Sequence, residues 1–174
     1  MEEWKMEGTE IDLPQMLNCR ERRTNVQNEL LRGYGRPVIS FCMNIPGPIK
    51  TNAQIRAAFL DGRAALIKEL EKESIAVLQS FDIAEPTGDE WIAAVDADAA
   101  VVKELTMEIE NRHPLGRLFD MDVININGEK LSRPRFRKCL ICGRQAQECA
   151  RARAHSVAEM QKAVMKMLEE APMN

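Results

Sequence analysis

The sequence predicts an α+β fold built around a mainly antiparallel sheet. β-rich segments alternate with amphipathic segments of helical period, short turns bound them, and no segment is repeated. Along the middle of the chain the order is strand, helix, strand, strand, helix, strand, which is the split βαβ or ferredoxin-like pattern. We expect one domain over residues 1–174, with the α+β core at 37–132 and extra helices before and after it.

The N-terminal half is predicted to begin with a loose acidic tail over residues 1–11. Asp12 is a suitable helix N-cap and Gly33 can end the helix that follows. Residues 44–50 (NIPGPIK) form a stiff turn because two prolines flank a glycine. The elements expected here are a helix over 12–33, a strand over 37–43 and a helix over 52–72.

The C-terminal half is predicted to contain more strands and two further helices. They are strands over 74–83, 91–95 and 117–126 and helices over 98–111 and 156–171. Asn127-Gly128 is a strong hairpin signal that leads into a short strand near 130–132. Residues 133–155 are predicted to be a basic, Cys-rich loop, and Ser156 with Glu159 has the spacing of a capping box.

Positive charge is concentrated in residues 112–155, which contain 10 Lys and Arg against 4 Asp and Glu. Residues 1–111 contain 12 against 20, so the overall net charge of −3 hides the contrast. The mild overall acidity argues against a dedicated nucleic-acid binder, and no apolar run reaches the roughly 18 residues of a membrane span. A local positive field attracts polyanions such as phosphates, although a solvated basic face is the ordinary alternative.

Within that segment, Asp120-Met121-Asp122 lies on a predicted strand. Residues two apart on a strand share a face, so both carboxylates converge while Met121 packs on the other side. Magnesium prefers oxygen ligands and is commonly held by one or two carboxylates together with substrate phosphates. A solvated strand edge also fits such a triplet, but the surrounding arginines favour a metal–phosphate site.

Further candidates lie around the acidic triplet. Arg117 is expected at the start of the same strand and Arg133 just after the hairpin. Lys50 lies at the entrance to a helix, where backbone N–H groups attract phosphate, although a simple connection is the alternative. His113 precedes a proline at a helix boundary, so it is either a base near the acids or a helix-end residue.

Cys139, Cys142, Cys149 and His155 have spacings that can form a closed tetrahedral zinc site. The alternative is a set of reduced thiols in an arginine-rich loop. Five cysteines in a chain without a recognisable export signal lead us to expect reduced thiols and a cytoplasmic location.

Five stretches together resemble one known family. In chain order they are 20–22 (RER), 37–50 (PVISFCMNIPGPIK), 113–123 (HPLGRLFDMDV), 139–142 (CLIC) and 149–155 (CARARAH). They resemble the apo-citrate lyase phosphoribosyl-dephospho-CoA transferases, also called holo-citrate lyase acyl-carrier-protein synthases, over roughly residues 17–160.

The resemblance implies a nucleotidyltransferase-type reaction. The phosphoribosyl-dephospho-CoA group would pass from triphosphoribosyl-dephospho-CoA to a serine of the acyl-carrier subunit of citrate lyase, with release of pyrophosphate. Asp120 and Asp122 would then bind magnesium, and His113 or one of the aspartates would remove the serine proton. The cations expected to contact phosphate oxygens are Arg20, Lys50, Arg117 and Arg133.

Two other functions remain open at this point. The first is a non-enzymatic zinc module whose basic segment binds nucleic acid or an acidic protein. The second is the equivalent synthase for the carrier protein of malonate decarboxylase. The N-terminal and cysteine motifs favour citrate lyase.

Overall fold

The computed structural model describes residues 4–172, which form five α-helices and four strands. The helices are α1 (Leu13–Tyr34), α2 (Ala53–Lys72), α3 (Ala99–Arg112), α4 (Ala146–Ala152) and α5 (Val157–Glu170). The strands are β1 (Val38–Met43), β2 (Val77–Glu85), β3 (Gly88–Val95) and β4 (Phe119–Ile124). A 3₁₀ turn, Gly116–Leu118, leads directly into β4.

The four strands form one sheet in the order β2-β3-β1-β4, and every neighbouring pair is antiparallel. This confirms the predicted α+β class and the antiparallel sheet. β1 lies between β3 and β4, so its side chains face those of both neighbours. Cys42 is opposite Asp120 of β4 and opposite Glu90 of β3.

The two faces of the sheet are covered unequally. The larger core packs α2, α3 and α5 on one face, around Phe41, Trp91 and Phe119. The smaller core, on the other face, is formed by Leu30 of α1 and a few sheet residues. Near β4 this second face is polar, and there α1 leaves room for a cleft.

Gly62 explains how α2 packs closely on the sheet. A Cβ atom at this position would lie 2.6 Å from the ring of Phe119 on β4. Glycine at this position therefore leaves space for the ring, although its helix propensity is low. The close contact fixes β4, whose opposite face carries Asp120 and Asp122.

Several helix ends follow the local signals in the sequence. Asp12 and Ser156 each form a capping box, the latter with Glu159, and the side chain of Asn52 caps α2. The predicted end of α1 at Gly33 was wrong, because the helix continues to Tyr34 and Gly35 takes the left-handed conformation at φ 59°. Gly33 and Gly35 both carry the local signal of a helix end, and Gly35, the one nearer to β1, forms the cap.

Three segments differ from the predicted description. The short strand near 130–132 is only a single bridge between Ile124 and Lys130. Residues 133–155 are not entirely a loop, because the seven-residue helix α4 lies within them. Arg117 belongs to the 3₁₀ turn and not to the strand, so its direction is not set by strand alternation.

Residues 4–11 are less loose than expected, while residues 1–3 of the predicted tail lie outside the described residues. Met6 and Ile11 are buried, and the N–H of Ile11 donates to the carbonyl of Pro48 at 3.0 Å. The side-chain amide of Asn52 donates to the carbonyl of Glu7 at 3.1 Å. None of the helices within residues 4–172 is long and apolar enough to cross a membrane.

Candidate active site

Asp120 and Asp122 lie on the same face of β4, and both are half-buried. Their neighbours Phe119, Met121 and Val123 point into the core, as the alternation predicted. The two acids line a cleft of about 450 Å³ between α3, β4 and the segment that follows the 127–128 turn. The strand thus holds two carboxylates side by side at the floor of an open cleft.

A smaller depression of about 150 Å³ adjoins this cleft, between α1, the turn after β1 and the β2–β3 hairpin. Arg20 and Lys50 line it, and so does Asp120. Asp120 and Asn44 line both spaces, so the two form one continuous polar surface. The fold therefore brings residues 30 to 100 positions apart in the sequence to one place.

Several cations around this surface have no carboxylate partner. Among the described residues, Arg20, Lys50, Lys103 and Arg117 form no ion pair within 4.0 Å. Arginines elsewhere, such as Arg22 and Arg56, are paired with acids. Unpaired cations that surround a cleft create a positive field that suits a polyanion.

Lys50 is held in place by the turn after β1. Its Nζ donates to the carbonyl of Ile45 at 2.8 Å, which leaves further N–H donors for a ligand. Partial burial, and then the nearby charge of Arg20, lower the pKa of Lys50. The two cations therefore repel each other across the depression, and an anion between them would relieve that repulsion.

Arg133 lines the cleft, but it already has a partner. It forms an ion pair with Glu110 of α3, and Arg137 Nη2 lies 2.9 Å from the same carboxylate. Glu110 also accepts a hydrogen bond from the N–H of Met121 at 2.8 Å. Arg133 is thus tied to a structural carboxylate, while Arg117 keeps its charge free.

Lys103 is a cleft residue that the sequence motifs did not predict. It is only 7% exposed, and burial lowers its pKa. It lines the same cleft as Asp120 and Asp122. The signal that could have revealed it is a polar stripe at helical spacing, formed by Lys103, Thr106 and Glu110, all of which are buried on α3.

Phe136 is a second cleft residue that the sequence did not predict. Its side chain is 71% exposed and lines the main cleft between Arg135 and Arg137. An exposed aromatic ring beside arginines offers a flat apolar surface to a planar ligand group.

The charges of the two acids affect each other. Burial and then the charge of Asp122 raise the pKa of Asp120, while Lys130 Nζ binds the Oδ2 of Asp122 at 2.7 Å. Cys42 lies on β1, opposite Asp120. Burial raises the pKa of its thiol to about 12, so this thiol is neutral at pH 7. Cys42 is therefore unsuited to act as a thiolate nucleophile.

His113 lies on the other side of the sheet. Its ring contacts Phe119, whose side chain points away from the face that carries the acids. Nε2 lies 2.9 Å from the Oδ2 of Asp61, and Nδ1 accepts a hydrogen bond from the N–H of Leu115 at 3.0 Å. Both ring nitrogens are thus used in holding the end of α3 against α2, and the structure does not bring His113 to the acids.

The cysteine motif does come together. The ligand atoms of Cys139, Cys142, Cys149 and His155 all lie within 4.8 Å of one another. The cluster adjoins the cleft through Arg117, whose Nε donates to the carbonyl of Lys138 at 2.8 Å.

Comparison with known proteins identifies the family. The model of a family described as apo-citrate lyase phosphoribosyl-dephospho-CoA transferase matches residues 11–171. The chain belongs to this family of transferases. The earlier resemblance is therefore confirmed, and the match includes both the acidic strand and the cysteine motif.

Individual relatives carry the same description. A protein of that name from Citrobacter koseri is 36% identical over 154 residues, which cover 86% of this chain and 84% of the relative. One from Vibrio cholerae serotype O1, named as a probable transferase of this kind, is 38% identical over 84% of this chain and 85% of its own length. One from Shigella boydii is 33% identical over 86% and 84%, respectively.

Proposed function

We propose that this chain attaches the phosphoribosyl-dephospho-CoA group to the acyl-carrier subunit of citrate lyase, using triphosphoribosyl-dephospho-CoA as the donor. One observation carries this proposal: in a chain of this family, two adjacent carboxylates lie in a cleft surrounded by unpaired cations. A triphosphate is the part of the donor that such a surface would bind.

The cations would bind the phosphates of the donor from two sides of Asp120. Arg20 and Lys50 on one side of Asp120, with Lys103 and Arg117 on the other, would contact phosphate oxygens. Arg133 would act mainly by holding its segment against Glu110. The adenine of the donor is the group that the exposed ring of Phe136 would stack on.

The transfer breaks a phosphoanhydride bond of the donor and forms a phosphate ester bond to the carrier. The serine oxygen of the carrier forms a bond to the phosphorus nearest the ribose, and the bond from that phosphorus to pyrophosphate breaks. The serine proton would pass to a carboxylate of the acidic pair, and the position of His113 on the opposite face of the sheet supports this choice. The cations stabilise the negative charge that gathers on the departing pyrophosphate.

Asp120 and Asp122 also fit a magnesium ion. Two carboxylates on one strand face, with the amide of Asn44 nearby, offer the oxygen ligands that this ion prefers. When bound, magnesium would offset negative charge on the triphosphate. Burial and then the charge of Asp122 raise the pKa of Asp120, and a cation bound between the two carboxylates would offset their negative charge.

We also propose that the core is of the ferredoxin-like type. The strand order β2-β3-β1-β4, with α2 and α3 packed on one face, supports this assignment.

The test replaces each acid separately by its amide. Asp120→Asn and Asp122→Asn keep the side-chain size but remove a metal ligand and a charge, so we expect pyrophosphate release with apo-carrier protein to fall at least about 100-fold. The measurement is a coupled pyrophosphate assay, with circular dichroism to confirm folding.

Asp98→Asn is the matched control. Asp98 is exposed at the start of α3 and makes no side-chain capping bond, so this change should leave the rate as in the wild type. Wild-type rates in both active-site variants would contradict the proposed role of the acids. Activity with the malonate decarboxylase carrier but not with the citrate lyase carrier would contradict the assigned partner.

A further inference from the structure

We propose that Cys139, Cys142, Cys149 and His155 bind one structural zinc ion. The four residues come from three separate segments: a tight turn after β4, helix α4, and the junction between α4 and α5. Three thiols and an imidazole, with all ligand atoms within 4.8 Å of one another, are the ligand set of a closed zinc site.

The distances suit a tetrahedron. With Zn–S bonds of about 2.3 Å, sulfur atoms at the corners of a tetrahedral site are about 3.8 Å apart. The sulfurs of Cys142 and Cys149 lie 3.4 Å apart, well beyond a disulfide bond, and all five cysteines are free. Around one ion this pair would separate slightly, and small shifts of the other ligand atoms, which all lie within 4.8 Å of one another, would bring the four to bonding distance.

The turn that carries the first two ligands has the shape of a zinc knuckle. The N–H of Cys139 donates to the carbonyl of Arg144 at 2.6 Å, and Gly143 has φ 71°. The N–H of Ile141 points to the sulfur of Cys139 at 3.4 Å. A backbone donor to sulfur stabilises the thiolate that a metal needs.

His155 provides an independent observation. Its Nε2 is buried and has no hydrogen-bond partner among the described residues. A buried polar nitrogen without a partner costs free energy, and a metal ion at the neighbouring sulfurs would satisfy it.

The segment also needs a cross-link. Over residues 133–156, the buried residues are Cys139 and Cys149, so there is almost no apolar core to hold this part together. Small regions without a core are commonly stabilised by a metal or a disulfide. Four protein ligands leave no open position, so the ion would be structural and not catalytic.

The zinc site would stabilise the side of the cleft that Arg117 lines. Lys138, next to Cys139, accepts the hydrogen bond from Arg117, and Arg137 Nη1 donates to the carbonyl of Arg117 at 3.4 Å. Fixing this turn therefore fixes a cation of the candidate active site. The inference concerns metal binding and does not depend on the proposed transfer.

The experiment measures metal in the full chain purified without chelators under reducing conditions. We expect about one equivalent of zinc by elemental analysis. After exchange with Co²⁺, we expect a thiolate charge-transfer band and the intense visible bands of tetrahedral cobalt. Cys142→Ser and His155→Asn should weaken zinc binding by more than the 10- to 100-fold that loss of an outer-shell partner costs.

Cys19→Ser is the matched control, because Cys19 lies on the buried face of α1 and is not part of the cluster, and this variant should retain the full zinc content. If the variants misfold, the cobalt titration of the reduced wild type still decides. A reduced wild type without zinc and without the thiolate–cobalt band would overturn the proposal. Full zinc content in folded Cys142→Ser would also overturn it. So would protein that is isolated with a Cys142–Cys149 disulfide and binds no cobalt once this disulfide has been reduced.

Discussion

Lys103 brings a positive charge into the protein at the edge of the sheet. Burial lowers its pKa, and the charged groups around it are Asp120 and Asp122 of β4 with Lys130 and Arg133 beyond the turn. Because the folded protein binds this proton less tightly than the unfolded chain, the free energy of unfolding rises with pH between the lowered pKa and the ordinary 10.5. At neutral pH the charged amine is therefore a cost to stability.

Lys103→Met should separate this cost from the function. We expect the melting temperature at pH 7 to rise, with the gain shrinking as the pH approaches 10.5, because the methionine keeps the packing and removes the buried charge. We expect donor affinity to fall by about 10- to 100-fold, the value of a charge-assisted hydrogen bond.

The measurements are thermal unfolding across pH and calorimetric titration with the triphosphate donor. Lys68→Met, at an exposed position on α2, should change neither quantity appreciably. Unchanged donor affinity in Lys103→Met would remove this lysine from the site.

The contact between α2 and β4 depends on a glycine where helix propensity favours alanine. Gly62→Ala should lower the free energy of unfolding by about 1–3 kcal/mol, because its Cβ would lie 2.6 Å from the ring of Phe119. Gly33→Ala in α1 has open space around it and should stabilise the protein by up to about 1 kcal/mol. Urea unfolding of both variants checks this, and equal effects would mean that the ring moves freely.

Elements with strong local signals were predictable, and those that depend on distant contacts were not. The capping boxes at Asp12 and Ser156 and the alternation along β4 can be read within a few residues of sequence. Helix α4 has only seven residues and no side-chain cap, so its sequence has little to distinguish it from a loop.

The site was predicted in part for the same reason. The acids, Lys50 and Arg117 were found from their local sequence context, and Arg20 was found only through the family resemblance. The polar stripe that contains Lys103 and Glu110 marks one face of α3, but the sequence does not show that this face packs against the edge of β4. His113 is near the acids in sequence but lies across the sheet from them, where it ends α3, as the helix-end alternative predicted.

Glu110 joins three parts of the molecule through one buried carboxylate. It contacts β4 at Met121 and the segment after the turn at Arg133 and Arg137. Glu110→Gln should cost about 3–5 kcal/mol of stability, because two partly buried arginines lose the buried carboxylate that neutralises them. The same change should weaken donor binding, since Arg137 no longer holds the turn that carries Arg117.

Denaturant unfolding and donor titration measure these effects. Glu108→Gln is the control, because Glu108 pairs with Arg112 at the surface and such pairs contribute about 0–1 kcal/mol. Equal stability of the two variants would show that Glu110 does not hold α3, β4 and the segment after the turn together.

The capped edge of β4 also limits how another protein approaches the acids. β4 is the last strand of the sheet, but the N–H of Met121 is bound to Glu110 and the carbonyl of Val123 accepts from Leu131 at 2.9 Å. A chain that arrived as an added strand would find these backbone groups already engaged. We therefore expect the proposed carrier to reach the acids over the face of the sheet, recognised by its side chains and not through pairing with β4.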